Sequence, residues 1–93
     1  MQVDILYRTK RGNQDHSAAV LVKGATASIQ VYGSQSIPTS LADMVDLSDG
    51  ATTINEGAWP FIILPEYVYF TGTADSIEQV GFNVEDLGAF VGD

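Results

Sequence analysis

An all-β fold, a small antiparallel β-sandwich or jelly-roll-like barrel of about seven or eight short strands, is predicted by three observations. Several windows alternate apolar and polar residues with a period of two, the side-chain repeat of a strand and not of a helix. Gly, Pro, Asn and Asp clusters punctuate those windows every ~8 to 12 residues, the spacing of turns in a sandwich. The stretch Trp59 to Gly72, WPFIILPEYVYFTG, concentrates aromatic and β-branched residues, which favour pleated, half-buried surfaces. Pro65 cannot donate to a sheet ladder, so this stretch reads as two short strands meeting at a corner.

In chain order, Gln2 to Arg8 is a plausible first strand, with Val3, Ile5 and Tyr7 on one side and Gln2, Asp4, Leu6 and Arg8 on the other. Thr9 to Asp15, TKRGNQD, is a polar loop marked by Gly12 and Asn13. His16 to Lys23 resumes alternation: Ala18, Val20 and Val22 face one way, Ala19, Leu21 and Lys23 the other. After Gly24, Ala25 to Tyr32 directs Ala25, Ala27, Ile29 and Val31 inward, and Thr26, Ser28, Gln30 and Tyr32 outward. Gly33 to Ser40, GSQSIPTS, is a loop long enough to cross between sheets.

Leu41 to Ser48 is compatible with a helical turn, but Val45 and Leu47 alternate with Asp46 and Ser48, and the turn signal Asp49-Gly50 follows. A short strand from Met44 to Ser48, paired with Ala51 to Asn55, is the expectation. Ile77 to Val84 places Val80, Phe82 and Val84 inward and Gln79, Gly81 and Asn83 outward. The end of the chain, EDLGAFVGD, is too short and Gly-broken for an element of its own. Residues 85–93 are therefore expected to form a tail that either folds back over the domain or inserts into a neighbour.

The chain of 93 residues, 45% of them apolar, forms a single domain over 1–93, large enough to bury a core. It has no cysteine, which excludes disulfides and thiolate chemistry. Asp4 and Arg8 interrupt the N-terminal apolar residues before a signal-peptide core develops, and no window approaches the ~18 apolar residues of a membrane helix. A soluble protein made in a cytosol is expected.

Charge is unevenly placed. Arg8, Lys10, Arg11 and Lys23 are the only basic residues of a chain with net charge −8, and from Gly24 onward there are ten carboxylates and no Lys or Arg. Such a surface repels nucleic acid and anionic membranes, so neither is expected as a partner. It is either simply a solubilising surface, or its basic segment docks on an acidic partner, including another copy of the chain.

Catalytic chemistry has little to stand on. His16, the only histidine, sits beside Ser17 with no nucleophile, base and acid arrangement in view. Asp43, Asp46 and Asp49 recur every third residue near Gly50, which does not match the EF-hand order and reads as a solvated acidic turn. Glu66, Glu78 and Glu85 show no pairing, and no phosphate-binding or Rossmann glycine motif is present. No enzyme activity, metal or cofactor is expected. Trp59, Tyr67, Tyr69, Tyr32 and Phe70 are weighted toward core or interface area over a sugar-stacking platform.

Taken together, GATASIQVYGSQ, MVDLSDGATTI, ILPEYVYFTGTA and VGFNV resemble small β-sandwich virion proteins of tailed bacteriophages, in particular capsid decoration or cement proteins. The shared pattern is a strand ending in a Gly-Ser turn, a short strand, and an aromatic strand after a Pro corner, over about residues 24 to 84. Met44 stands where that pattern has Trp, and the aromatic strand lacks its usual Arg. The resemblance implies a structural protein of the virion, made in the host cytoplasm. It would bind the outside of a capsid as a homotrimer and bridge subunits of the major capsid protein. Lys10, Arg11 and Asn13 in the basic loop and Leu87, Phe90 and Val91 in the tail are the expected contacts. A tail, neck or fibre component of the virion, or a carbohydrate-binding module, are the alternatives.

Overall fold

Alternation along the chain sorts the side chains onto two facing sheets. The structure is a computed structural model that describes residues 1–11, 18–24, 29–47, 57–60 and 64–89. Among these residues lie eight strands: β1 Leu6–Arg11, β2 Ala19–Lys23, β3 Gln30–Ser34, β4 Val45–Asp46, β5 Gly57–Pro60, β6 Tyr67–Thr71, β7 Ser76–Val80 and β8 Phe82–Gly88. One antiparallel sheet runs β4-β3-β6-β1-β8 and the other β5-β2-β7. The fold is an all-β sandwich, as the sequence predicts.

The core lies between the sheets. Val20, Val22 and Ile77 of the smaller sheet pack against Tyr7, Ile29, Val31, Val68, Phe70 and Phe82 of the larger sheet and its flank. Phe70, Val68 and Ile29 are fully buried. Removing each such side chain from water contributes roughly 1.5–3 kcal/mol, and this burial opposes the entropy of ordering the strands. The alternation read for β2 and β3 holds where it is described. Val20, Val22, Ile29 and Val31 are buried, whereas Leu21 and Lys23 are exposed and Gln30 and Tyr32 half-buried.

The stretch from Trp59 to Gly72 spans both layers. β5 belongs to the smaller sheet and β6 to the larger, so the chain changes layer before and at the Pro65–Glu66 break; Phe61 to Ile63 lie outside the described residues. Pro65 is buried at this corner, and its carbonyl accepts a 2.6 Å bond from the Thr9 hydroxyl. The Thr9 amide donates to the Glu66 carbonyl at 2.8 Å, so the pairing of β1 continues past the start of β6.

Four expectations are corrected. The first strand begins at Leu6 and not at Gln2: Asp4 has φ 61°, a left-handed conformation that ends the extended run, and its amide bonds the Phe70 carbonyl at 2.7 Å. Leu6 lies on the side of the strand away from Tyr7, as the alternation expects, and is nevertheless 1% exposed, so the sheet is covered there. It pairs with Tyr69 and with Gly88, and the register against β8 shifts between Leu6 and Tyr7 because β8 carries one extra residue, Leu87, at that step.

Leu41–Asp43 forms a single 3-10 turn, and β4 after it pairs with β3. The expected partner of this strand, Ala51 to Asn55, lies outside the described residues. Ile77 to Val84 is two strands and not one. Gly81, at φ 83°, joins β7 of one sheet to β8 of the other and reverses the parity, so Val80 is exposed while Ile77 and Phe82 are buried.

Residues 85–88, expected in a tail, complete β8, with Asp86 opposite Tyr7 and Gly88 opposite Leu6. The expected element boundary failed here because the strand continues through the bulge.

Candidate interaction face

The larger sheet has a second face, turned away from the core. Residues directly opposite each other on antiparallel strands share a face, so the register defines this one. Asp46 lies opposite Tyr32, Tyr32 opposite Tyr69, and Tyr69 opposite Leu6. A second row runs from Ser34 through Tyr67 and Arg8 to Glu85. Lys10 lies opposite Asn83 at the far end of β1.

Three tyrosines thus occupy two adjacent strands of one sheet face. Tyr32 and Tyr69 are cross-strand neighbours, and Tyr67 lies two residues from Tyr69 along β6, about 7 Å away. All three are half-buried, and the Tyr32 hydroxyl donates a 2.7 Å bond to Gln30 Oε1. The reason is legible in Tyr67-Val68-Tyr69-Phe70: the period of two sends Val68 and Phe70 into the core and the tyrosines out. Of the aromatics expected to supply core or interface area, Phe70 lies in the core, and the trio is half-buried on the opposite face of the sheet. Trp59, on β5 of the other sheet, is 39% exposed.

Arg8 beside Tyr67 has its charge met by Glu66, with Nε to Oε1 at 3.2 Å. Both side chains are about half exposed, so solvent screens the pair and it contributes at most about 1 kcal/mol. The Glu66 amide donates to Gln35 Oε1 at 2.7 Å, which ties the corner to the loop after β3. In that loop the Thr39 backbone N–H, at 3.0 Å, and then its hydroxyl, at 2.8 Å, bind Asp43 Oδ2 and hold the carboxyl below its ordinary pKa.

The expected contact residues are only partly placed. Lys10 is exposed, and Arg11 ends β1 opposite Phe82, so both belong to a strand and not to a loop. Leu87 is half-buried in β8 at the bulge, not in a tail. Lys10 and Leu87 sit at opposite ends of the β1–β8 ladder, about 12 Å apart along the strand, so the structure does not bring them together. Asn13, Phe90 and Val91 lie outside the described residues, as does His16.

Elsewhere, an open cleft of 280 Å³ is lined by Met1, Gln2, Val3, Ala74, Asp75 and Ile77. The amine of Met1 donates to the Ile77 carbonyl at 2.5 Å beside it. Among the described residues no three His, Cys, Asp or Glu side chains are grouped to hold a metal ion, and no helix is long and apolar enough to cross a membrane.

Comparison with known proteins gives no match to a family model, to a curated protein or to a solved structure.

Proposed function

We propose that this protein is a structural, non-catalytic binding protein that attaches to another protein through the outer face of its larger sheet. The observation that carries the reading is the tyrosine trio, Tyr32, Tyr67 and Tyr69, held side by side on a regular sheet with Arg8 at its edge. Tyr and Arg are the residues most enriched at protein interfaces, because each offers a large contact area together with a directional polar group. Tyrosines seated on a strand pair have already lost much of their rotational freedom, so less entropy is lost when a partner covers them.

The specific form of the proposal follows the sequence resemblance. The partner is the major capsid protein of a tailed phage, bound on the outside of the assembled shell, where this protein bridges neighbouring coat subunits and is itself a homotrimer. The acidic body keeps free trimers apart until they bind.

The test is co-sedimentation with bare capsids. Wild-type protein is expected to pellet with the shells and to raise their resistance to heat, and Tyr67→Ala with Tyr69→Ala is expected to abolish both effects while the variant keeps a β-type circular dichroism spectrum. Retention of shell binding by that variant would remove this face from the interaction.

The same tyrosines favour a second reading, stacking on the rings of a neutral sugar. Retention on a glycan array that is lost in the tyrosine variant and kept in Trp59→Ala distinguishes it.

A further inference from the structure

β2 is apolar on both of its sides. Val20 and Val22 are buried in the core and Ala19 and Leu21 face out, so four apolar residues run together from Ala19 to Val22. A strand covered on one side alternates apolar with polar residues; a continuous apolar run is the pattern of a strand covered on both. The larger sheet differs, since the outward residues Tyr32, Tyr67 and Tyr69 all end in a polar group.

The register gives the surroundings of Leu21 on the outer side. Ala58 of β5 lies opposite it on one flank and Glu78 of β7 on the other, while Ala19 lies opposite Val80. Leu21 and Val80 are 42% and 41% exposed, Ala58, Lys23 and Glu78 are exposed, and Ala19 is half-buried. Lys23 and Glu78 are the only charged residues of the three strands. The face is therefore apolar at its centre and neutral overall, on a protein of net charge −8.

We infer that the outer face of the smaller sheet is where copies of this chain meet, Leu21 and Val80 of one copy packing on the same face of the next, with Lys23 reaching Glu78 of that copy. This rests on the reading that the protein is a homo-oligomer, and it names the contact surface. The tyrosine face, on the other side of the sandwich, stays open for the shell.

The physical case has three parts. Covering apolar area is favourable whatever covers it, so Leu21 and Val80 supply attraction and no choice of partner. The charges supply the choice: a surface of one sign answers either Lys23 or Glu78 and opposes the other, whereas a second copy brings both. Repulsion between the acidic bodies is least where the surface is neutral. The sheet is about 10 Å wide and about 16 Å long along β2, which is less than the roughly 800 Å² per partner of a stable interface, so the association depends on concentration.

Sedimentation velocity of the full chain between about 0.01 and 1 mM tests this. Wild type is expected to move from monomer to oligomer over that range. Association is expected to strengthen several-fold between about 0.02 and 0.3 M salt, because screening relieves the repulsion of the bodies. Weakening by salt would place the contact between charged surfaces and overturn the inference.

Leu21→Glu is expected to weaken association at least tenfold. Leu21→Thr, which keeps a strand-forming residue and removes apolar area, is expected to weaken it about fivefold. Lys23→Glu and Glu78→Lys are each expected to weaken it up to about fivefold, and the two together to restore it. Glu78→Lys also lowers the net negative charge, so tighter association in that variant would mean diffuse repulsion alone and would overturn the inference. Each variant is expected to keep a β-type circular dichroism spectrum.

Tyr67→Ala with Tyr69→Ala separates the two faces. It is expected to associate like wild type while losing the shell; loss of association would move the contact to the larger sheet and overturn the inference. If wild type associates and both Leu21 variants do so equally well, the face is wrong and the homo-oligomer reading stands. If wild type stays monomeric throughout, both fall, and shell binding through the tyrosines is judged by co-sedimentation alone.

Discussion

Gly33 lies flush against Pro65: a β-carbon at position 33 would come within 2.8 Å of Pro65 Cγ and equally close to Leu47 Cδ1. Gly33 is not in a left-handed conformation, so the constraint is steric. The rigid Pro65 ring cannot swing aside as a flexible side chain would. Gly33→Ala is expected to cost about 1–3 kcal/mol, the usual effect of overfilling a packed site. Urea denaturation measures it, and an unchanged midpoint would show that the corner yields.

Thr9 ties β1 to the same corner through its hydroxyl bond to the Pro65 carbonyl. Thr9→Val keeps the shape and removes the donor, leaving that carbonyl one partner short in a buried setting. A loss of about 1–2 kcal/mol is expected in the same denaturation measurement.

Arg8 and Glu66 give the opposite expectation for stability. Their ion pair is exposed, so Arg8→Ala should change the unfolding free energy by less than about 1 kcal/mol, and by less still in high salt. A larger loss would mean that the stem of Arg8 packs on Tyr67 more than it pairs with Glu66.

Asp43 supplies a pH dependence. Its carboxyl is held below its ordinary pKa by the Thr39 backbone N–H and hydroxyl. The folded state thus favours the ionised form, and the associated stability is complete above the unfolded-state pKa of about 3.9 and is lost as the pH falls through the folded-state value. In NMR titration Asp43 should have a midpoint below about 3.9. In Thr39→Val, which removes the hydroxyl bond, that midpoint should rise. A wild-type midpoint at or above the ordinary value would remove the Thr39 bonds from the solution structure.

Deleting residues 86–93 tests the placement of the C-terminal strand. The deletion removes Asp86, which pairs with Tyr7, and Gly88, which pairs with Leu6. It should therefore lower the melting temperature of the domain itself. Deleting only 90–93 should leave β8 whole and the melting temperature nearly unchanged. Equal stability of the two truncations would return 85–88 to the role of a tail.

Much of the layer structure was legible because burial on one face imposes a repeat of two. Val20 and Val22, Ile29 and Val31, and Val68 and Phe70 declare the core side without reference to any partner strand. The repeat fails where the backbone itself departs from regularity. Asp4 hid the start of β1, the bulge at Leu87 hid the end of β8, and Gly81 disguised two strands in different sheets as one. Pairing was not legible at all: β1 lies between β6 and β8, partners some sixty to eighty residues away in the chain, and no local pattern encodes that choice. The tyrosine face was half legible. Alternation separates Tyr67 and Tyr69 from Val68 and Phe70, but the meeting of Tyr69 with Tyr32 depends on the neighbouring strand.

That placement of β1 sets a schedule for biosynthesis. Among the described strands, β1 has neither neighbour until β6 and β8 have been translated, so the pairing that covers Leu6 and Tyr7 waits for those strands. Closure of the larger sheet then follows the synthesis of β8, slowed by the long loops it must bring together. Until then its apolar side chains and unpaired edges are open to aggregation.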